Sequence, residues 1–346
     1  MEEVAESVKV ALSLRPALVN LRAVSRSFYL TLRVLPGSIR PQIGLAYLLA
    51  RTTDTIADTG LVPLEQRLEA LQALRDRIQG KRREPLEFAE LSRHQGDPAE
   101  RRLLEQCEGS VAALGCFNAA DQQLIRAVLD TITSGQELDL RRFANASAER
   151  IIALETDTEL DDYTYRVAGC VGEFWTRMCR AHVFPKAVIN DSELLAKGIR
   201  FGKGLQLVNI LRDLPRDLRQ GRCYLPKETL ASTNLQPAQL LEPTSEPRLR
   251  PAYHRWLDCA QSHLNAGWAY TNDLPGRCIR VRLACAWPLL IGRDTLVLLR
   301  TENVLDPNRR LKVSRARVRS LLVRSLLLYP FPSAWRRLFR FPATAI

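Results

Sequence analysis

The chain has 346 residues, of which 46% are hydrophobic and 25% charged, a globular balance with ample material for a core. Its formal charge of +12 is uneven: the stretch from Pro307 to Ile346 holds ten Arg or Lys and no Asp or Glu, leaving +2 for the rest. No run reaches the roughly 18 apolar residues of a membrane span, the acidic start Met1-Glu-Glu-Val is unlike a signal peptide, and eight cysteines without C-x-x-C spacing argue against a disulfide framework or a zinc module.

In chain order, a first helix is predicted over 4–22. Pro36-Gly37 reads as a turn, and Pro41 suits the first turn of a helix over about 40–58. On it Tyr47, Arg51, Asp54 and Asp58 fall at i, i+4, i+7 and i+11, a single stripe. Further helices are predicted over 64–79 and 98–115, with a charged surface loop from Gln79 to Pro98 between them, and then over 120–143 and 147–180. In the last, Ala168, Gly169 and Gly172 are small. A helical glycine costs roughly 0.5–1 kcal/mol against Ala, so these positions mark the close approach of another helix or of a ligand.

The helix predicted over 191–217 places Gln206, Asn209, Asp213 and Asp217 on one stripe, with Leu205, Leu207, Val208, Ile210 and Leu211 around much of the remaining cylinder. Pro215 removes the bond to Leu211 and is expected to kink or end the rod, so that Asp217 is either displaced slightly from the stripe or part of the last turn. Residues 232–251 carry prolines 237, 243, 247 and 251 and read as an exposed connector. Helices over 252–272, 280–301 and 314–328 complete the chain. Without alternating strands or an internal repeat, the fold class is all-α.

A mostly apolar helix does not carry two carboxylates without something to neutralise them. One Asp-x-x-x-Asp on a helix is ordinarily a solvated face; two such pairs, each with further polar residues in register, point to a hard cation instead. Four carboxylates suffice for two or three Mg²⁺ ions with positions left for a diphosphate. Arg51, Arg212 and Arg222 could bind diphosphate oxygens bidentately or pair with the aspartates. Other phosphate machinery is missing. Gly198-x-x-x-Gly202-Lys-Gly lacks the Walker A spacing, and no G-x-G-x-x-G follows a strand.

Five stretches resemble one family in order: Ser25-Arg-Ser-Phe28; Tyr47-x-x-x-Arg51-x-x-Asp54-Thr-x-x-Asp58; Tyr163-x-x-x-Val-Ala-Gly-x-Val-Gly172; Gln206-x-x-Asn-x-x-Arg-Asp-x-x-x-Asp217; and Gly221-Arg-x-Tyr224. They are similar to the squalene/phytoene synthases, head-to-head prenyl synthases of the all-α isoprenoid synthase fold, and most similar to bacterial-type squalene-forming members. The resemblance spans roughly residues 20–300. It implies Mg²⁺-assisted condensation of two farnesyl (or geranylgeranyl) diphosphates to a cyclopropylcarbinyl diphosphate, which then ionises and rearranges, with NADPH supplying hydride in squalene synthases.

By the same resemblance Asp54, Asp58, Asp213 and Asp217 are metal carboxylates, and Tyr163 removes a proton or handles the cation. Ser25, Arg26, Tyr47, Arg51, Gln206, Asn209, Arg212, Arg222 and Tyr224 contact substrate or diphosphate. Asn209, Arg222, Lys312 and Arg315 are the cofactor contacts. Asp54-Thr-x-x-Asp58 favours squalene as product; phytoene, dehydrosqualene or presqualene diphosphate are the alternatives. A different class, a non-catalytic assembly protein of the same fold, would be expected to lose metal carboxylates that this chain keeps.

Two regions are expected: a helical synthase domain over 1–305 and a basic amphipathic segment over 306–346. In the latter, Leu321, Leu322, Leu326-Leu-Leu-Tyr329, Phe331, Trp335, Leu338 and Phe339 interleave with arginines, a pattern that suits anionic lipid. Nucleic acid would explain this charge but would leave two acidic faces without a purpose. A cytoplasmic, peripherally membrane-associated monomer is therefore expected.

Overall fold

The computed structural model describes Val24 and residues 28–309 and 311–342; the helix predicted over 4–22, together with Ser25 and Arg26, lies outside the described residues. The chain is all-α, as its sequence pattern predicts. It divides into two compact units, Met1–Arg141 with Phe174–Lys186, and Arg142–Glu173 with Ala187–Ile346.

The first unit contains α1 (Phe28–Val34), α2 (Arg40–Asp58), α3 (Leu64–Gln79), the short α4 (Ala89–His94), α5 (Pro98–Glu105), α6 (Cys107–Ala112) and nearly all of α7 (Ala119–Arg142). Pro41 occupies the first turn of α2, where a missing N–H costs nothing. Helix α2 buries Ile43, Leu45, Leu48, Leu49 and Ile56, and leaves unburied the stripe of Tyr47, Arg51, Asp54 and Asp58. The single helix predicted over 98–115 is instead α5, α6 and a 3₁₀ turn, and the loop predicted over 79–98 contains α4.

The second unit contains α8 (Asp157–Thr164), a π-helical turn (Tyr165–Gly169), the start of α9 (Cys170–His182), α10 (Asp191–Arg219), α11 (Lys227–Ala231), α12 (Glu246–Asp273), α13 (Ile279–Thr301), α14 (Arg315–Leu328) and α15 (Pro332–Arg337). The helix predicted over 147–180 is corrected here. Its first part holds β1 (Ile152–Ala153), paired in parallel with β2 (Arg222–Cys223), and the remainder is broken by the π turn. The predicted proline-rich connector becomes two 3₁₀ turns, and α12 begins earlier than expected, taking Pro247 in its first turn and Pro251 in its interior.

The small residues do mark a close approach, and what approaches is a helix. A Cβ on Gly172 would lie 1.9 Å from the Gly198 carbonyl oxygen, and one on Gly202 would lie 2.1 Å from that of Ala168. Helix α10 thus lies against the π turn and the start of α9 with no room for a methyl group. Among the described residues no helix is long and apolar enough to cross a membrane.

The C-terminal apolar residues are divided between two uses. Trp335 and Phe339 both stack on Trp268 of α12, with centroids 5.3 and 5.2 Å apart, and the Trp335 indole donates to Asn272 at 3.0 Å. Leu321 and Leu338 are also buried. These four belong to the core of the second unit rather than to a lipid-facing surface. Val323, Leu326, Leu327 and Phe331 stay exposed.

Candidate functional site

In the first unit α2 presents its acidic pair one turn apart. The Asp54 carboxylate receives the Gln136 amide from α7 on one oxygen and Arg51 on the other at 3.5 Å. Arg51 is shared, since its other terminal nitrogen pairs with Glu100. One guanidinium therefore answers two carboxylates, with Asp58 a turn beyond. Burial raises the Asp54 carboxyl against the pull of Arg51, the Asp58 charge raises it further, and it is pushed up to about 7. Its side chain still keeps 40% of its surface accessible, so the group is hemmed in at its base and open to solvent on one side. Tyr47 donates from its hydroxyl to the Val24 carbonyl at 3.4 Å. Gln136 and Glu100 carried no sequence signal, because their role arises only from packing across helices.

In the second unit α10 carries the other pair. Arg212 forks onto the adjacent Asp213, with Nε at 2.9 Å from Oδ1 and Nη2 at 2.5 Å from Oδ2. Of its two expected partners, Arg212 is seen here on an aspartate. Asp217 lies within electrostatic reach of Arg212 and of Cys223. Gln206, Asp213 and Asp217 are half-buried and Asn209 exposed, the stripe the sequence predicts.

Pro215 does not end the rod. Helix α10 runs unbroken from Asp191 to Arg219, keeping Asp213 and Asp217 one turn apart on one rod. Proline leaves the Leu211 carbonyl without its helical donor, and the Tyr253 hydroxyl, fully buried on α12, donates to that oxygen at 2.9 Å. Burial pushes the Tyr253 phenol well above its usual range, so it remains a donor. Tyr253 is a positioning residue that sequence reasoning missed. The signal for it was the orphaned carbonyl that an interior proline implies.

Beside this helix, Tyr163 stacks on Tyr224 with centroids 5.0 Å apart, and their hydroxyls lie 3.5 Å apart. Phe143 meets Tyr224 edge-on, and the Arg222 guanidinium sits 5.9 Å over the Phe143 ring. The β1–β2 bridge holds this set in place. Gly221 enters it with φ +80°, and a Cβ there would lie 2.4 Å from the Ser147 backbone, so only glycine lets Arg222 and Tyr224 follow in this register. Tyr163, Arg222 and Tyr224 are thus brought together, whereas Lys312 and Arg315 stand exposed just before and at the start of α14. Ser25 and Arg26 lie outside the described residues.

No three His, Cys, Asp or Glu side chains converge as a metal cluster among the described residues. The donor chemistry nonetheless suits a hard cation: each helix offers two carboxylates one turn apart. Beside Asp54 the one guanidinium, Arg51, is divided between two carboxylates.

A family model described as squalene/phytoene synthase matches residues 21–317. The bifunctional lycopene cyclase/phytoene synthase of Gibberella fujikuroi is 30% identical over 268 residues, 75% of this chain and 43% of that protein, so the chain spans under half of that relative's length. The presqualene diphosphate synthase of Sinorhizobium fredii is 28% identical over 309 residues, covering 88% of this chain and 95% of that one. Among solved structures, TcSQS in complex with a ligand superposes with a TM-score of 0.74 at 21% identity, covering 94% of this chain and 89% of that one. At that identity the likeness shows the fold.

Proposed function

The chain belongs to the squalene/phytoene synthase family, and on that premise we propose that it joins two farnesyl diphosphates head to head to presqualene diphosphate and reduces this to squalene. The family binds prenyl diphosphates and uses a divalent metal to hold the diphosphate. The observation that carries the proposal is the pair of acidic stripes, Asp54 with Asp58 and Asp213 with Asp217, each left unburied on a helix whose other faces are largely packed.

In this reading the four aspartates would hold Mg²⁺, which supplies charge neutralisation for the departing diphosphate. Arg51 and Arg212, now paired with aspartates, would turn to the diphosphate as cations replace them. Tyr47, Gln206, Asn209 and Arg222, with Ser25 and Arg26, are assigned to substrate. Tyr163, stacked on Tyr224, offers a hydroxyl for proton transfer beside an aromatic wall suited to a carbocation. Lys312 and Arg315 present exposed cations that fit a phosphate of NADPH, which would supply the hydride. Residues 306–346 attach the protein to a membrane surface, the source of its lipid substrate.

A second reading stops at presqualene diphosphate; the end-to-end match with a relative of that name favours it. The test incubates the chain with farnesyl diphosphate and Mg²⁺, with and without NADPH, and extracts the products. Squalene formed only with NADPH is the expected result. Presqualene diphosphate as sole product under both conditions transfers the assignment to the second reading, and no turnover of any prenyl diphosphate overturns both.

A further inference from the structure

Between α13, α14 and α15 the second unit forms a half-open cavity of about 390 Å³ that the proposed reaction does not use. Five arginines line it, Arg293, Arg317, Arg324, Arg337 and Arg340, over an apolar floor that includes Leu321 and Leu338. Among the described residues one carboxylate answers them. Asp294 accepts from Arg293 at 2.9 Å on one oxygen and from Arg317 at 2.7 Å on the other. Arg293, buried, also donates to the Leu338 carbonyl, which fixes the end of α15 against α13. Arg324, Arg337 and Arg340 make no ion pair among the described residues. Concentrated guanidinium charge around a concavity is the arrangement that binds phosphate oxygens through paired N–H donors.

The surroundings choose among phosphates. Leu327, 67% exposed, lies three residues from Arg324 and so beside it on the helix surface, and Phe331, just beyond the helix, is also exposed at 61%. A free phosphate has no use for these side chains. A phosphate carrying acyl chains does.

We propose that this cavity binds the phosphate of an anionic phospholipid at a bilayer surface, while Leu327 and Phe331 enter the acyl boundary beside it. The inference rests on the membrane-surface reading given above and deepens it. Attachment becomes a headgroup site with a defined lining, in place of diffuse attraction between a basic tail and negative lipid.

Flotation of the full chain with phosphatidylglycerol vesicles and with phosphatidylcholine vesicles tests it. The unaltered protein should float with the former and much less with the latter. Replacing Arg324, Arg337 and Arg340 together by Gln should lower the apparent partition constant on the order of 100-fold, whereas replacing Arg309, Arg319 and Arg336, equal charge outside the cavity, should lower it far less. All six are surface side chains, and an unchanged near-ultraviolet signal from the stacked Trp268 and Trp335 would confirm that the fold persists. Equal losses in the two triple variants would overturn the site while leaving membrane attachment standing. No flotation of the unaltered protein would overturn both. A melting shift with inorganic diphosphate, lost in the cavity variant and unaccompanied by flotation, would show that a free phosphate is the occupant and overturn the lipid assignment.

Discussion

The two acidic pairs look alike in sequence and differ in how the fold treats them. Asp54 sits in a recess where a single arginine is divided between it and Glu100, and its carboxyl is raised to about 7. Asp213 is held by Arg212 in a two-bonded fork, with Asp217 also within reach of that guanidinium. One aspartate shares its arginine with a second carboxylate, and the other is held by the adjacent residue. The difference teaches that the same i, i+4 spacing can produce either a carboxyl raised by burial beside a divided arginine or a closed ion pair that a cation must open.

The hardest blow to this contrast comes from removing the charges. Asp54→Asn and Asp213→Asn should each lower turnover of farnesyl diphosphate by at least about 100-fold with helix content by circular dichroism unchanged. Thermal melts should part them: at pH 8 without metal, Asp54→Asn should hold or gain stability, and Asp213→Asn should lose it, because Arg212 is left unpaired. Near-normal turnover in either variant removes that aspartate from the metal set.

A smaller effect tests the backing of the second pair. Tyr253→Phe keeps the ring and strands the Leu211 carbonyl, a cost of about 1–3 kcal/mol for an unsatisfied buried acceptor, readable in urea unfolding. A cost indistinguishable from zero would mean that the hydroxyl does not support the helix at Pro215.

Opening the fork is milder still. Arg212→Gln should tighten Mg²⁺ binding, measured by calorimetry, by roughly fivefold or less, the range of a partly exposed ion pair. Arg51→Gln should leave Asp54 more heavily protonated and weaken metal binding near neutrality. The same direction of change in both variants would erase the contrast between the pairs.

The gentlest test is pH. Because the Asp54 carboxyl titrates near 7 in the fold and near 3.8 when unfolded, the folded state holds the extra proton between those values. Stability of the metal-free protein should therefore fall as pH rises from about 4 to about 7. This slope should flatten in Asp54→Asn, and stabilisation by Mg²⁺ should be larger at pH 8 than at pH 5, where protons compete for the carboxylate.

The acidic stripes were legible because a helix maps sequence spacing directly onto a face, so Tyr47, Arg51, Asp54 and Asp58 needed no tertiary knowledge. Their environments were not. Nothing near Asp54 in the chain announces Gln136, which meets it, or Glu100, which takes a share of Arg51, only after α2, α5 and α7 pack. The strand pairing before α8 was hidden for a related reason: two residues per strand leave no periodicity, and the register depends on Gly221 approaching Ser147. In the C-terminal segment an amphipathic pattern shows that apolar residues have somewhere to go but not where, and Trp335 and Phe339 go to Trp268.

The bond from Tyr253 to the Leu211 carbonyl also constrains the order in which this sequence could have been assembled. A proline at 215 in a background without the hydroxyl would have left a buried acceptor bare and loosened the turn that carries Asp217. The tyrosine without the proline costs nothing, since a carbonyl oxygen has a second lone pair to offer. On this argument the tyrosine is the permissive change and the proline the one it permits, and with both present the two positions are unequal: Pro215→Ala costs little with Tyr253 in place, whereas Tyr253→Phe costs about 1–3 kcal/mol while Pro215 remains and less once it has gone. A double-mutant cycle on these two positions would read that asymmetry as a coupling energy, a trace of history held in one hydrogen bond.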